Sequence, residues 1–519
     1  MPTKLMGRTP FYMLIPLRQP GSVTLRGLIP SASFVGCAEI TVSSVASHSD
    51  ECTPGCLYVT LPGHRTHGKN FIPQALQRGA AAILTDYPLA DVSLPQCIVS
   101  DVPKAYGQIC HGMYGHPSRK MGIAGVTGTN GKTTTTWILR SLLENASRPT
   151  GLIGTVEYSD GVQSEPSVLT TPDAMTLARH LAAMRDRETN YAAIELSSHA
   201  LDQSRPAGIG LDVAIVSNIT HDHLDYHQDI ESYIAAKSKI VEYIKPGGAL
   251  ILNSDDEHWE KLVPESDRKI GTLTYGFGDE ADITGEIVEL TATGSRFFIH
   301  YGVERMLIDT TLIGRHNVMN CLAATCGAIH LGLTTEEICE GLAACEPAPG
   351  RMEAVNCGQD FQVFVDYAHT DDAIKHVIAT SRSFTSGKTI LVFGAGGDRD
   401  KSKRIPMGEA ASEADVVVLT SDNPRSESPQ SIIKEIHEGF SNRSVEPIIE
   451  IDRQVAITKA IQLAAPGDTV LVVGKGHEKY QMIGGQKLTF DDVAVCKNAI
   501  WQAMTSKKDH THLPARVAG

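Results

Sequence analysis

Short apolar runs alternate along this chain with longer stretches in which apolar residues recur at helical spacing. The runs are brief, rich in Val, Ile and Leu, and bounded by Gly, Pro, Asn or Asp, which is how buried strands read. Three zones separate on this pattern. In the first, which runs to His116-Pro117-Ser118, residues 57–59 read as a strand, 71–79 as a helix and 80–85 as a strand of small residues. The second opens with an apolar strand at 121–126, a glycine-rich loop and a helix over 133–144. Strands at 191–195, 211–217 and 249–253 follow, with a helix at 230–243 between the last two. The third begins near Pro349-Gly350-Arg351. It carries strands at 362–365, 389–393, 416–420, 447–451 and 469–473, most of them separated by helical stretches such as 429–440 and 453–464. Strands that alternate with helices imply parallel sheets covered on both faces.

Length and composition sharpen this reading. A chain of 519 residues is too long for one core. The expected class is α/β with three domains: an N-terminal α/β domain at 25–118, a central parallel-sheet domain at 119–348 and a C-terminal Rossmann-like domain at 349–519, after an extension of residues 1–24. Lys+Arg 46 against Asp+Glu 60 gives a formal charge of -14, spread along the chain, which speaks against a nucleic-acid partner. The 11 cysteines are scattered and form no CxxC pair, so they read as thiols in a reducing compartment. The apolar run at 11–17 is broken by Pro16, and no stretch approaches the ~20 apolar residues that span a bilayer. A cytoplasmic monomer without membrane insertion is expected.

The order strand, glycine loop, Lys-Thr, helix at Gly128-Thr129-Asn130-Gly131-Lys132-Thr133-Thr134 is a phosphate-binding arrangement. Glycines let backbone N–H groups turn onto phosphate oxygens, and the helix N-terminus adds its positive dipole end. Lys132 reaches the outer phosphates in such loops, and the Thr133 hydroxyl meets Mg²⁺. Val126 stands where the general pattern has its first glycine. A dinucleotide-binding loop is the competing reading, and it has no need of Gly-Lys-Thr. The central domain is thus expected to be a P-loop ATPase domain using ATP and Mg²⁺.

Glu195 ends a strand expected in the same sheet, where a carboxylate is placed for a metal ion. Asn218 to His227 contains His221, His223 and His227. Their spacing fits no helical zinc motif and no thiolate joins them, which leaves a polar surface turn or a role at the ATP–Mg²⁺ site as the other readings. Lys237, read locally, is a lysine on a helix surface. In the third zone, loops containing Arg399, Asp422-Asn423-Pro424-Arg425 and Gly474 to Glu478 follow three strands. Open parallel sheets bind ligands at those strand ends. Two arginines and a glutamate converging there call for a carboxylate and an ammonium, hence an amino acid.

The stretch from Thr127 to Thr134 resembles the Mur ligases and their relatives, the folylpolyglutamate synthetases. The resemblance covers nearly the whole chain after residue 24. It implies that His223 and Glu195 hold a second Mg²⁺ and that Lys237 is carbamylated, an anion where a cation would be repelled. It implies ATP contacts from Asn317, Arg351, Asp366 and His369; the lesser reading of Arg351 and Asp366 is as ordinary interdomain salt-bridge partners. Asp371 replaces a usual proline and is expected to loosen that loop. The Asp-Asn-Pro-Arg run is similar to the signature of members that add meso-diaminopimelate, with Arg399, Asp422, Asn423, Pro424, Arg425, Gly474 and Glu478 gripping that amino acid. Thr170, Thr171, Ser197, Gln203 and Arg205 match contacts to a UDP-N-acetylmuramoyl-dipeptide. In the first domain Ser49 matches the uridine-diphosphate motif, but the family's Asp-Ser-Arg is His48-Ser49-Asp50 here, and Arg65 or another loop is expected to compensate.

The implied reaction is ATP-dependent amide formation through an acyl phosphate, in peptidoglycan precursor synthesis, with closure of the third domain over the second. A lysine-adding ligase, a folylpolyglutamate synthetase-like ligase and a catalytically dead scaffold are the rivals. Arg425 weighs against the first and the first domain against the second. The intact Lys132, Glu195, His223 and Lys237 weigh against the third.

Overall fold

The computed structural model describes residues 21–63, 66–220, 224–263, 270–441 and 443–510. It divides into two compact units: residues up to Thr284 with Cys321–Gly341, and Gly285–Asn320 with residues from Leu342 onward.

The first unit contains a two-stranded pairing of Val23–Thr24 with Thr41–Val42 and two larger sheets. The smaller has strands β1 (Ser33–Val35), β2 (Ser44–Ala46), β3 (Cys56–Val59), β4 (Ala80–Thr85) and β5 (Gln96–Ile98) in the order β1-β5-β4-β3-β2. Only β1 runs antiparallel to its neighbour. Helix α1 (Val102–Met113) starts at Asp101, whose carboxylate accepts from the Lys104 N–H at 2.9 Å. Its apolar face shares a core with Ala174, Ala178 and Ala182. These small side chains lie on the helix Ala174–Asp186 and permit close helix approach.

The larger sheet has eleven strands, of which nine are β6 (Gly122–Thr127), β7 (Thr150–Ile153), β8 (Glu157–Ser159), β9 (Ser164–Pro166), β10 (Tyr191–Glu195), β11 (Leu211–Val216), β12 (Ile244–Asn253), β13 (Gly271–Gly276) and β14 (Ile283–Thr291); β14 passes into the second unit after Thr284, and the last two strands, Gly294–Tyr301 and Glu304–Thr310, lie in that unit. The order of the nine is β9-β8-β7-β10-β6-β11-β12-β13-β14. Strand β6 lies between β10 and β11, parallel to both, with Val126 opposite Glu195 and Thr127 opposite Val216. Helices α2 (Lys132–Asn145), α3 (Ala174–Asp186) and α4 (Ile230–Ser238) belong to this unit.

In the second unit β15 (Gly294–Tyr301) and β16 (Glu304–Thr310) form an antiparallel pair. Helix α5 (Arg315–His330) begins here and continues into the first unit. A six-stranded sheet follows, built from β17 (Glu353–Ala354), β18 (Gln362–Asp366), β19 (Thr389–Phe393), β20 (Val416–Leu419), β21 (Ile448–Ile449) and β22 (Thr469–Val473) in the order β17-β18-β22-β19-β20-β21. All but β17 are parallel. Helices α6 (Asp371–Arg382), α7 (Arg404–Ala411) and α8 (Pro429–His437) contribute to one core, and α9 (Arg453–Leu463) and α10 (Asp492–His510) to another, which makes the sheet doubly wound. A hairpin, β23 (Tyr480–Ile483) and β24 (Gln486–Thr489), follows β22.

Most expected elements form, with shifted ends. The helix expected at 71–79 is a 3-10 turn, Gly68–Phe71, leading into Ile72–Gln77, with Pro73 in its first turn. That expected at 230–243 stops at Ser238 and tightens into the 3-10 turn Lys239–Tyr243. The strand expected at 447–451 pairs only over Ile448–Ile449, at the sheet edge. Among the described residues no helix is long and apolar enough to cross a membrane.

One charge pair lies wholly inside the second unit. Arg453 Nε and Nη2 donate to the two oxygens of Asp492 at 2.8 and 2.7 Å, and Nη2 also donates to the Val473 carbonyl at 3.0 Å. Both side chains are fully buried. Arg453→Met leaves Asp492 uncompensated, and such a break costs about 3–5 kcal/mol. Urea denaturation followed by circular dichroism should show that loss. Arg453→Met combined with Asp492→Leu should recover most of it.

Candidate active site

Because β6 is flanked by β10 and β11, three strand ends meet at the phosphate loop. Gly131 has φ +85° and leads α2, so the loop turns directly onto a helix N-terminus. The segment after β11 grips the loop from below. The Asn218 carbonyl accepts from the Thr129 N–H at 2.8 Å, and its amide oxygen accepts from the Asn130 N–H at 2.9 Å. Ser217 Oγ donates to the carbonyls of Thr127 and Asn130. Lys132 Nζ lies across the loop, donating to the carbonyls of Gly128 and Thr129 at 2.8 Å each. Thr134, expected to touch nucleotide, is buried.

Glu195, on the other flank, is buried at the end of β10. Its carboxylate accepts from Thr133 Oγ1 at 3.0 Å, the Thr155 N–H at 2.7 Å and Thr155 Oγ1 at 2.9 Å. Its backbone carbonyl accepts from Thr171 Oγ1 at 2.7 Å, which in turn accepts from the Ser197 N–H at 3.0 Å. Thr170 Oγ1 lies 3.0 Å from Thr155 Oγ1. Arg205 closes the cluster, donating through Nη1 to the Thr171 carbonyl at 2.7 Å and through Nε and Nη2 to Gln203 Oε1 at 3.1 and 2.8 Å. All these acceptors are neutral oxygens. Burial lowers the pKa of Arg205 from its ordinary value, with Asp173 acting against it. A guanidinium so placed has charge to spare for a carboxylate. The structure therefore gathers Thr170, Thr171, Ser197, Gln203 and Arg205 around Glu195.

Lys237 is only 1% exposed, so the local reading of a surface lysine is wrong. Its Nζ sits 4.4 Å from the centroid of the Tyr233 ring, and the Tyr233 hydroxyl lies 3.1 Å from Thr129 Oγ1. Helix α4 is thereby joined to the phosphate loop. His221 and His223 lie outside the described residues. His227 packs against the rings of His199, Tyr226 and Tyr233. Among the described residues no group of three His, Cys, Asp or Glu side chains is gathered for a metal. The buried Glu195 carboxylate beside the Thr133 hydroxyl is nevertheless a donor set suited to Mg²⁺, which takes few protein oxygens and completes its shell with water and phosphate.

In the smaller sheet's domain, Ser49 Oγ donates to Gln74 Oε1 at 3.0 Å. Arg78 Nη1 donates both to the Ser49 carbonyl at 3.1 Å and to Asp50 Oδ1 at 2.5 Å. A guanidinium thus stands beside Ser49 although the motif's own arginine is an aspartate. Arg65 lies outside the described residues.

In the second unit, Asn317 on α5 donates to the Ile313 carbonyl at 2.9 Å. The Asp366 carboxylate is buried and accepts from the N–H groups of Met352 and Ala368 at 2.7 and 2.8 Å. Burial raises its pKa, and Arg351 opposes that. The Arg351 guanidinium lies 5.0 Å from the Tyr367 ring centre, and His369 Nδ1 is 2.8 Å from the Tyr367 carbonyl oxygen. Asp371, expected in a loop, is the first residue of a helix. It opens α6 behind the cap Thr370 and, with Asp372, puts negative charge in the first turn, where the helix dipole favours it.

The sheet order β22-β19-β20 makes the three loops of the expected amino-acid site neighbours. Arg425 Nη1 and Arg399 Cγ lie 3.0 and 3.7 Å from the point a Cβ on Gly396 would occupy, so the two arginines flank one glycine. Arg425 Nη1 also donates to the Gly397 carbonyl at 2.6 Å. Asn423 Nδ2 donates to Glu478 Oε2 at 2.8 Å, and the fully buried Lys475 donates to Asn423 Oδ1 and Glu478 Oε2 at 3.0 and 2.9 Å. Asp422 is buried against Gly474, whose φ is +113° and whose Cβ would meet Asp422 Oδ2 at 2.5 Å. The Pro424 carbonyl oxygen lies 1.9 Å from the point a Gly397 Cβ would occupy, which brings the first two loops into backbone contact.

Comparison with known proteins accords with this arrangement. The Mur ligase middle-domain model matches residues 126–328, the Mur ligase glutamate ligase domain matches 350–476, and the Mur ligase family catalytic domain matches 41–111. The chain belongs to the Mur ligase family. This Mur ligase is 42% identical over 466 residues to a UDP-N-acetylmuramoyl-L-alanyl-D-glutamate--2,6-diaminopimelate ligase of Thermosynechococcus vestitus, covering 88% of this chain and 93% of that protein. A protein of the same name from Geobacillus thermodenitrificans is 41% identical over 463 residues, covering 87% and 93%. A solved structure of a ligase bearing that name superposes with a TM-score of 0.67 at 29% identity, covering 93% of this chain and 99% of its own.

Several residues of this Mur ligase escaped sequence reading. Asn218 and Lys475 stood inside motifs already noticed, but nothing marked one as the loop's clamp or the other as the partner of Glu478. Thr155 follows strand β7, which is too short to stand out. Arg78 sits outside any motif. Gly128 has φ +143°, and a Cβ there would lie 1.9 Å from Ser217 Oγ and 3.1 Å from the Asn218 nitrogen. Gly128→Ala must displace the clamp. Calorimetric titration with ADP should show affinity reduced at least ~10-fold, equivalent to about 1.4 kcal/mol, with unchanged circular dichroism.

Proposed function

We propose that this Mur ligase uses ATP to join a carboxylate of UDP-N-acetylmuramoyl-L-alanyl-D-glutamate to an amino group of meso-2,6-diaminopimelate, a step in making peptidoglycan precursor. The carrying observation is the clustering of Arg399, Arg425, Asn423 and Glu478 on loops of adjacent parallel strands. Arginines for a distal carboxylate and a glutamate for the neighbouring ammonium fit diaminopimelate. The names of relatives at 42% and 41% identity support the same reading.

The reaction has two steps. A dipeptide carboxylate oxygen attacks the γ-phosphorus of ATP, the bond to the β-γ bridging oxygen breaks, and ADP leaves with an acyl phosphate formed. The acceptor amine then attacks the acyl carbon, phosphate leaves and the nitrogen loses a proton. Gly128 to Thr134 cradle the phosphates, and Lys132 offsets charge on the transferring group. Arg205 and Ser197, with Thr170, Thr171 and Gln203, orient the dipeptide. Ser49 and Arg78 face the uridine diphosphate in domain 25–118. Asn317, Arg351, Asp366 and His369 meet the nucleotide. Thr133, Glu195, His223 and a carbamylated Lys237 are the residues that would hold Mg²⁺. Bound there, Mg²⁺ supplies positive charge to the phosphate oxygens. The carbamate of Lys237, an anion, would be favoured there over its ammonium, which a bound Mg²⁺ would repel. The enzyme is assigned as a cytoplasmic monomer.

A lysine-adding reading is opposed by Arg425, which would face no distal carboxylate. ADP release with the UDP-dipeptide should require diaminopimelate, and neither lysine nor omission of the acceptor should replace it. Turnover with lysine alone would sink the specificity claim. Arg425→Ala should raise KM for diaminopimelate ~100-fold, about 2.7 kcal/mol, and leave KM for ATP unchanged. Enzyme equilibrated with ¹³C-bicarbonate should give a carbamate carbon resonance that Lys237→Arg removes; a resonance persisting in the variant would exclude Lys237.

A further inference from the structure

Arg404, at the start of α7, is 1% exposed and touches none of the groups assigned to substrate. Its guanidinium grips Glu427 fork to fork, with Nη1 to Oε2 at 3.1 Å and Nη2 to Oε1 at 2.9 Å. Nη2 also donates to the Gly396 carbonyl at 3.3 Å, and Nη1 to Glu435 Oε2 on α8 at 2.8 Å. Glu427 Oε1 further accepts from the Asp398 N–H at 2.6 Å, and Oε2 pairs with Lys401 at 3.2 Å. Asp398 answers across the gap, accepting from Ser426 Oγ at 2.7 Å and the Ser426 N–H at 3.1 Å. The Gly397 N–H donates to the Asn423 carbonyl at 2.9 Å. The loop carrying Arg399 and the loop carrying Arg425 are therefore tied together by the Arg404–Glu427 pair, whose arginine is buried, and by the direct bonds of Asp398 and Gly397 beside it.

The tie holds backbone that would not otherwise stay put. Asp398 and Arg425 have φ of +52° and +53°, the left-handed region that is unfavourable for a non-glycine residue. Each immediately adjoins the bonds just described. The Arg404 fork, and then the Asp398 N–H, hold the Glu427 carboxyl down at about 2, against an ordinary 4.5. Its contribution is thus complete above about 4.5 and is lost as pH falls toward about 2.

We propose that Arg404 and Glu427 are positioning residues that lock the Arg399 and Arg425 loops into one carboxylate clamp, and so set the preference for an amino acid with a second carboxylate over one without it. This rests on the diaminopimelate reading above. Both residues act through the arginines and neither meets the substrate.

The test is the selectivity ratio, kcat/KM with diaminopimelate over kcat/KM with lysine, measured on the full chain. Lysine lacks the distal carboxylate, so a loosened clamp penalises diaminopimelate alone. Glu427→Gln should raise KM for diaminopimelate about tenfold and lower the ratio by a similar factor, with KM for ATP and the UDP-dipeptide unchanged. Ser426→Ala keeps the ion pair, removes one bond to Asp398 and should shift the ratio the same way by less. Glu435→Gln removes the Arg404 partner that does not reach the loops and should leave the ratio unchanged. An unchanged ratio in Glu427→Gln and Ser426→Ala, with wild type turning over diaminopimelate, overturns the clamp proposal alone. An equal fall in Glu435→Gln overturns it as well, because general loosening of the unit would then suffice. Wild type that accepts only lysine overturns the diaminopimelate reading, and the clamp proposal falls with it.

Discussion

A carboxylate held by three donors inside a protein can hardly move, and Glu195 is held that way. Thr133, the Thr155 backbone and the Thr155 hydroxyl fix its two oxygens, and Thr171 fixes its carbonyl. These donors come from three segments: the phosphate-loop helix, the turn after β7, and the start of the cluster that Arg205 closes. A buried anion is costly unless hydrogen-bonded or matched by positive charge, and here neutral donors hold it in place. The positions of Thr133, Thr171, Ser197 and Arg205 all follow from that single anchor.

The same economy appears in the second unit, where the anchor is a cation. Parallel strands deliver their carboxyl ends to one edge, but sheet order decides which loops become neighbours. The order β22-β19-β20 leaves Glu478 and Lys475, which follow β22, within reach of Asn423, which follows β20, and sets Arg425 after β20 beside Arg399 after β19. Lys475 and Asn423 both use Glu478 Oε2. The electrostatics follow from topology, since no two of these loops are close in sequence.

What could be read from the sequence was whatever a local pattern encodes. The phosphate loop declares itself because glycines, a lysine and a threonine at fixed spacing have few other uses, and long buried strands such as β6 and β22 are continuous apolar runs. The edge strand β21 shrank because its outer residues have no second neighbour to pair with. Lys237 looked like a surface residue because a lysine in a helical stretch does not by itself announce burial, and its ring partner Tyr233, one turn earlier on α4, reads equally well as a core residue. Arg78 and Arg404 were invisible for a related reason: a lone arginine looks alike in sequence whether it is solvated or paired with carboxylates contributed from elsewhere in the chain. Asp371 was read through an absent proline, when its position in the first turn of α6 gave a helical reason for an acid there.

The two left-handed residues, Asp398 and Arg425, bear on how this protein tolerates change. Glycine would adopt either conformation without steric cost, so a substitution chosen for backbone comfort alone points to glycine at both. At 425 that exchange would relieve the backbone and delete the guanidinium. At 398 it would relieve the backbone and delete the acceptor of Ser426. Engineering this protein for heat resistance by summed local improvements would therefore drift toward a sturdier fold with a blunted preference among amino acids, and those two positions should be held fixed in any such effort.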